Sequence, residues 1–179
     1  MNEEEMMAFA AGCGFEKVAV VDTKELVFDP SFRPYCEENL CGQYGANYTC
    51  PPACGTPEEM KNRILRYPKA LVMESLWPIA DWRDKEAVRQ AKALHNHWQI
   101  ELQEKAREQG REGFLVGSSG CSLCSPCAMR SGKPCRFPDL RWSCMSAYCI
   151  YVQKLAETCG MDYTPKPGYL TLYGMFVYR

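Results

Sequence analysis

Eight cysteines fall into two groups, Cys121, Cys124, Cys127 and Cys135 in one, and Cys36, Cys41, Cys50 and Cys54 in the other. The first group begins as Cys-x2-Cys-x2-Cys, the spacing of a ferredoxin run, in which a short loop wraps a cluster corner so that each thiolate reaches a different iron. Gly120, Ser122 and Ser125 are small enough for backbone amides to approach the sulfurs, and such hydrogen bonds tune the potential of a cluster. The fourth ligand is Cys135 or a cysteine from elsewhere in the chain. Zinc is the rival metal, but it usually takes paired Cys-x2-Cys knuckles, often with histidine. The triple run and the presence of only two histidines put iron–sulfur ahead of zinc.

The other group reads Cys36-x4-Cys41-x8-Cys50-x3-Cys54, with Pro51-Pro52 directly after Cys50. Residues 29 to 57 have no hydrophobic period and are dense in proline and glycine, so they read as an irregular, ligand-bearing loop. Four thiols in one such loop favour ligation over burial as plain core residues. Cys54 is either an eighth ligand or a thiol near a helix start with a lowered pKa. Cys13 and Cys159 read as small core residues. Cys144 and Cys149 read as packing residues, held in reserve should Cys135 turn away. Lys133, Arg136 and Arg141 gather around Cys135, where they offset thiolate charge, bind an anion, or form ordinary surface. His95 and His97 are two residues apart and so do not share a helix face, which suits surface or rim positions.

Twelve cysteines in 179 residues also bear on compartment. A secreted chain would use them as disulfides, a reducing cytosol as metal ligands. The N-terminus, Met1-Asn2-Glu3-Glu4-Glu5, lacks the positive charge and apolar run of a secretory signal. No apolar stretch reaches bilayer length. A cytoplasmic protein with no membrane association is expected. The net charge of −1 gives no basic stripe for nucleic acid.

The positioning elements read as follows. Asn2 and Glu5 form a capping box for a helix over 3–12, and Thr56, Pro57 and Glu59 do the same for a helix ending near Tyr67. Lys17–Val21, Ala70–Met73, Gly113–Gly117 and Tyr169–Tyr178 are strand candidates, the last apolar on both faces and therefore interior. A long helix spans about 83–109, with Ala87, Ala91, Leu94, Trp98 and Leu102 on one stripe. Residues 145–159 form a further helix. The expected fold is a single compact α/β or α+β domain over 1–179, with about four strands, helices, and two irregular cysteine-rich metal loops at 36–54 and 121–135.

Together the two segments resemble the uncharacterised bacterial and archaeal family of predicted metal-binding proteins called domain of unknown function 2284. The likeness rests on Cys36, Cys41, Tyr44-Gly45 and Cys50-Pro51-Pro52, and on Cys121, Cys124, Cys127 and Pro134-Cys135-Arg136-Phe137-Pro138. It runs nearly end to end and implies metal binding. Where the family pattern reads Ser-Met-Glu-Ala-Tyr-Gly-Ile-Asp-Val, this chain has Cys144-Met145-Ser146-Ala147-Tyr148-Cys149-Ile150-Tyr151-Val152. Cys54 lies outside the seven cysteines of that pattern.

The expected function is therefore an iron–sulfur protein with one or two clusters of the 4Fe-4S type. With eight ligands it carries electrons to an unidentified redox partner. With seven, an open iron activates an unidentified small molecule and the protein is an enzyme. The alternative is a zinc-stabilised binding module without redox activity, whose metal supports folding.

Overall fold

The computed structural model describes residues 1–179. Its elements run α1 (Glu3–Cys13), β1 (Lys17–Asp22), α2 (Arg33–Glu37), α3 (Pro57–Leu65), β2 (Lys69–Trp77), α4 (Lys85–Glu108), β3 (Gly113–Gly117), β4 (Ser143–Cys144), α5 (Val152–Thr158) and β5 (Leu170–Tyr178). Both expected capping boxes form: Asn2 Oδ1 accepts from the Glu5 amide at 2.9 Å, and Thr56 Oγ1 from the Glu59 amide at 3.2 Å. Each satisfies amides that have no partner inside the helix.

The five strands make one mixed sheet in the order β1-β2-β5-β3-β4, antiparallel except for the short β3–β4 pair. The class is α+β, with one strand more than the sequence suggested. The two-residue β4 is too short to leave a periodic signal. The double-sided apolar strand is interior as expected, because β5 lies between β2 and β3. Alternation along β2 and β5 divides the core. Ala70, Val72, Met175 and Val177 meet Met60 and Ile64 of α3 and Leu155 and Ala156 of α5. Leu71, Met73, Phe176 and Tyr178 meet Met6 and Ala10 of α1 and Leu102 and Ala106 of α4. Fully burying each of the larger of these side chains contributes about 1.5–3 kcal/mol.

Four sequence expectations are corrected. Helix α5 begins at Val152, not 145, because Cys149 adopts a φ of 55° that turns the chain first. That left-handed conformation favours glycine, which is what the family pattern carries there. The cysteine loop at 36–54 is not wholly irregular, since Cys36 sits on the short helix α2. Finally, the buried face of α4 is rotated from the apolar stripe: Leu94 is exposed, while His95, Asn96, Gln99 and Gln103 are buried. His95, Asn96 and Gln99 are admitted because they find partners, His95 on Ser75 and Asn96 on Ser118 and Ser119. Gln99 Nε2 donates to the carbonyls of Val116 and Met175 at 3.3 and 3.4 Å, and any Cβ at Gly174 would collide with its amide. His95, expected at the surface or rim, is fully buried, whereas His97 is exposed beside Glu101.

The pairing directions put the carboxyl ends of β2, β3 and β4 at one end of the sheet. The cysteine loop after β3 starts there. The loop after β1 starts at the opposite end and must cross the domain to arrive. The crossing is held by the bridge between Phe28 and Ile150 and by amide bonds from Asp29 to the Cys149 carbonyl and from Tyr151 to the Val27 carbonyl, at 2.8 and 2.9 Å.

Candidate metal centre

At that end of the sheet lies a cavity of about 1140 Å3, and seven thiols line it: Cys36, Cys41, Cys50, Cys121, Cys124, Cys127 and Cys144. They come from three separate stretches of chain. No histidine, aspartate or glutamate shares the wall. None of the twelve cysteines is in a disulfide.

Hydrogen bonds explain why the stretches meet. Asn47 Nδ2 donates to the Cys121 carbonyl at 3.0 Å, and the Cys121 amide donates to Thr49 Oγ1 at 3.3 Å. Tyr48 donates its hydroxyl to the Lys133 carbonyl at 2.8 Å, and Arg130 Nη2 donates to the Gly42 carbonyl at 2.9 Å. Gly120 brings the second loop closest to the first: a Cβ there would stand 3.2 Å from Cys50 Sγ. The small residue beside Cys121 thus lets backbone lie against a thiol of the other loop. Arg33, one helical turn before Cys36, donates from Nη1 to the Gly55 carbonyl at 2.8 Å and from Nη2 to the Ala147 carbonyl at 2.9 Å. It ties α2 to the segment that follows Cys144.

The thiols also divide electrostatically. Burial pushes Cys36 up to about 11, with help from negative charge on Cys144, Cys149 and Cys41. Burial pushes Cys50 up to about 12, again with Cys144 and Cys41 adding repulsion, then Cys54. Cys144 is raised by burial and, less, by Cys41, against three backbone hydrogen bonds. Cys36, Cys41, Cys50 and Cys144 share the cavity wall, and Cys54 and Cys149 act on the same group from off the wall. Cys121 is raised by burial and acted on by Cys124 and Cys135. Burial also raises Cys127, but the amides of Met129 and Tyr48, the Cys124 thiol and the Arg130 guanidinium outweigh it and bring Cys127 below its ordinary value. Cys121, Cys124, Cys127 and Cys135 make the second group.

Raised thiols are poor nucleophiles. A group of them that repel one another as thiolates is relieved by a cation, which deprotonates its ligands on binding. The donor set therefore fits a thiophilic metal group. No three His, Cys, Asp or Glu side chains converge so as to hold a single ion as they stand. The thiols surround a space and not a point.

Of the eight sequence candidates, six line the cavity, and Cys54 and Cys135 do not. Cys54 is buried in the core between Met60, Tyr148 and their neighbours. Its position near a helix start does not lower it: burial pushes it up, in opposition to Arg33 and Arg63. Cys144 lines the cavity in its place, brought there by its pairing with Gly117 across the parallel β3–β4 ladder. Its only sequence signal is the cysteine standing where the family pattern has serine. Lys133, Arg136 and Arg141 are not on the wall; its cations are Lys85, Arg89 and Lys92 of α4 and Arg130. Cys13 and Cys159 are half-buried at helix ends.

Arg33→Ala should loosen the centre as well as the fold. It strands two carbonyls, at a cost on the order of 2–3 kcal/mol. Thermal unfolding of the metal-free protein measures the first effect and bound metal per chain the second. An unchanged melting temperature with unchanged metal content would show that Arg33 does not hold the two segments together.

An α+β domain with a thiol-lined cavity at one end of its sheet is thus a protein built to hold metal. The chain belongs to the family described as predicted metal-binding protein, domain of unknown function 2284, whose model matches residues 19–177. No curated protein and no solved structure matches it. No helix is long and apolar enough to cross a membrane.

Proposed function

We propose that the protein is an iron–sulfur protein with two 4Fe-4S sites, serving one-electron transfer. One site would use Cys36, Cys41, Cys50 and Cys144. The other would use Cys121, Cys124, Cys127 and Cys135. The observation that carries this reading is the all-thiol lining of the cavity, seven sulfurs with no imidazole or carboxylate among them. Four thiolates complete a cubane, and each reaches a different iron. Zinc would instead need its sulfurs about 2.3 Å from one point, which the spread of these thiols around a cavity does not favour.

Bound there, an iron–sulfur cluster supplies a one-electron couple. This chain's residues do the rest. Burial of Cys50 and the close backbone at Gly120 exclude water from one side. The amides of Met129 and Tyr48 reach Cys127, and hydrogen bonds to sulfur raise a cluster's potential. With four thiolates in each group, no coordination position is left open, which favours electron transfer over substrate activation at iron.

Anaerobic purification followed by iron, sulfide and zinc analysis tests the proposal. The expected result is about eight iron and eight sulfide per chain, as two cubanes require, with a broad visible absorption that bleaches on reduction. Colourless protein with stoichiometric zinc and no sulfide would sink it and leave the structural zinc module.

A further inference from the structure

The wall of the cavity facing the thiols is one stripe of α4. Lys85, Val88, Arg89, Lys92 and Asn96 line it at spacings of three and four residues. Asn96 anchors the stripe to the second cysteine loop, donating from Nδ2 to Ser119 Oγ at 3.0 Å and accepting from Ser118 Oγ at 3.3 Å. The charge of the stripe is not spent internally. Arg89 holds Glu86 at 2.6 Å, but Lys85 and Lys92 have no ion-pair or hydrogen-bond partner, and Lys92 is half-buried. Arg130, across the cavity, donates to the Gly42 carbonyl and is in no ion pair. No carboxylate lines the cavity.

One alternative is that these cations neutralise the thiolates. The thiols line the cavity from the two loops and β4, whereas Lys85, Arg89 and Lys92 line it from α4. Val88 and Trp82 add apolar surface beside them, Trp82 being 70% exposed at the rim.

We propose that the α4 wall of the cavity, Lys85, Arg89 and Lys92 with Arg130 opposite, binds a small organic anion carrying a phosphate or carboxylate group. Binding clefts of several hundred Å3 with apolar walls and a few convergent polar groups are the common form of small-molecule sites. Lys85, Lys92 and Arg130 are in no ion pair and supply charge-assisted hydrogen bonds to such a group, with Arg89 shared between it and Glu86. The apolar face of Val88 and Trp82 takes the carbon skeleton. The inference rests on the cluster reading only for what lies beside the anion, not for the binding itself.

The test uses the anaerobically purified full chain and calorimetric titration with two probes, phenyl phosphate and benzoate, which separate the two headgroups. Saturable binding of at least one, at one per chain, is expected. The K85Q/K92Q variant should weaken it by about tenfold or more, with iron and sulfide content unchanged. Absence of saturable binding of both probes to the wild type overturns the proposal, as does equal binding by the variant. Loss of iron and sulfide in the variant also overturns it, because the row would then be counter-charge for the clusters. Wild-type protein without iron and sulfide removes the cluster reading alone, and the titration still decides the anion site.

Discussion

Cys144→Ser is expected to remove about half of the bound iron and sulfide, whereas Cys54→Ser leaves both at the wild-type level, because each cubane takes four thiolates. The two residues are rivals for one role. Cys54 follows Cys50 closely in sequence, but it belongs to the buried core cluster with Met60 and Tyr148, does not line the cavity, and hydrogen-bonds the Gly55 carbonyl. Cys144 is remote in sequence from Cys36, yet the two line one cavity. Serine is nearly isosteric with cysteine, so loss of metal in the Cys144 variant reports ligation and not packing. It also restores the residue of the family pattern, leaving three thiolates at that site, one short of the four a cubane takes. The reverse result, halved metal in Cys54→Ser and full metal in Cys144→Ser, would return Cys54 to the site and refute the assignment.

The second large effect concerns acid stability. His95 is fully buried on α4, and burial pulls its imidazole down to about 3. Its Nδ1 lies 2.6 Å from Ser75 Oγ, and that oxygen already accepts from Trp77 Nε1 at 2.7 Å. Ser75 Oγ keeps both its proton and a second lone pair, so it pairs with Nδ1 in either tautomer, and Nε2 stands without a partner. Phe15 covers the ring edge-on at 5.2 Å. No acid is near enough to compensate a positive charge, since desolvation is the sole cause of the shift. The sign follows directly. Between the unfolded value near 6.5 and the folded value near 3, the unfolded chain binds the proton and the folded chain does not. Stability is full above about pH 6.5 and falls as pH drops through that window, by about 1.4 kcal/mol per pH unit from this group alone. His95→Gln carries no titrating group, so its stability should fall less steeply with acid even if it starts lower. Denaturant midpoints from pH 7 to pH 4.5 on metal-free protein make the comparison. Parallel curves for wild type and variant would remove His95 as the source.

The grouping of the cysteines was legible in sequence because close spacing is local, and the structure sets Cys121, Cys124 and Cys127 on one cavity wall. Capping is equally local, and Asn2-x2-Glu5 and Thr56-x2-Glu59 each specify a helix start without reference to the rest of the chain. Strand β5 declared its interior position because a strand covered on both faces must be apolar on both.

What the tertiary structure alone decided is everything that depends on distant residues meeting. The rotation of α4 could not be read from hydrophobicity, since Gln99 and His95 are buried by partners on β3, β5 and β2, not by being apolar. The cationic stripe of Lys85, Arg89 and Lys92 looks like any solvated helix face until the sheet sets it opposite the thiols. Cys144 carries no spacing signal, because it reaches the cavity through a two-residue parallel ladder with β3. The sequence by itself determined that the protein has thiolate loops and where each begins. Which thiols share a site was decided by the chain crossing after β1 and by Arg33, which tie the Cys36 segment to the segment after Cys144. Long-range hydrogen bonds set that meeting, and they leave no periodic trace in sequence.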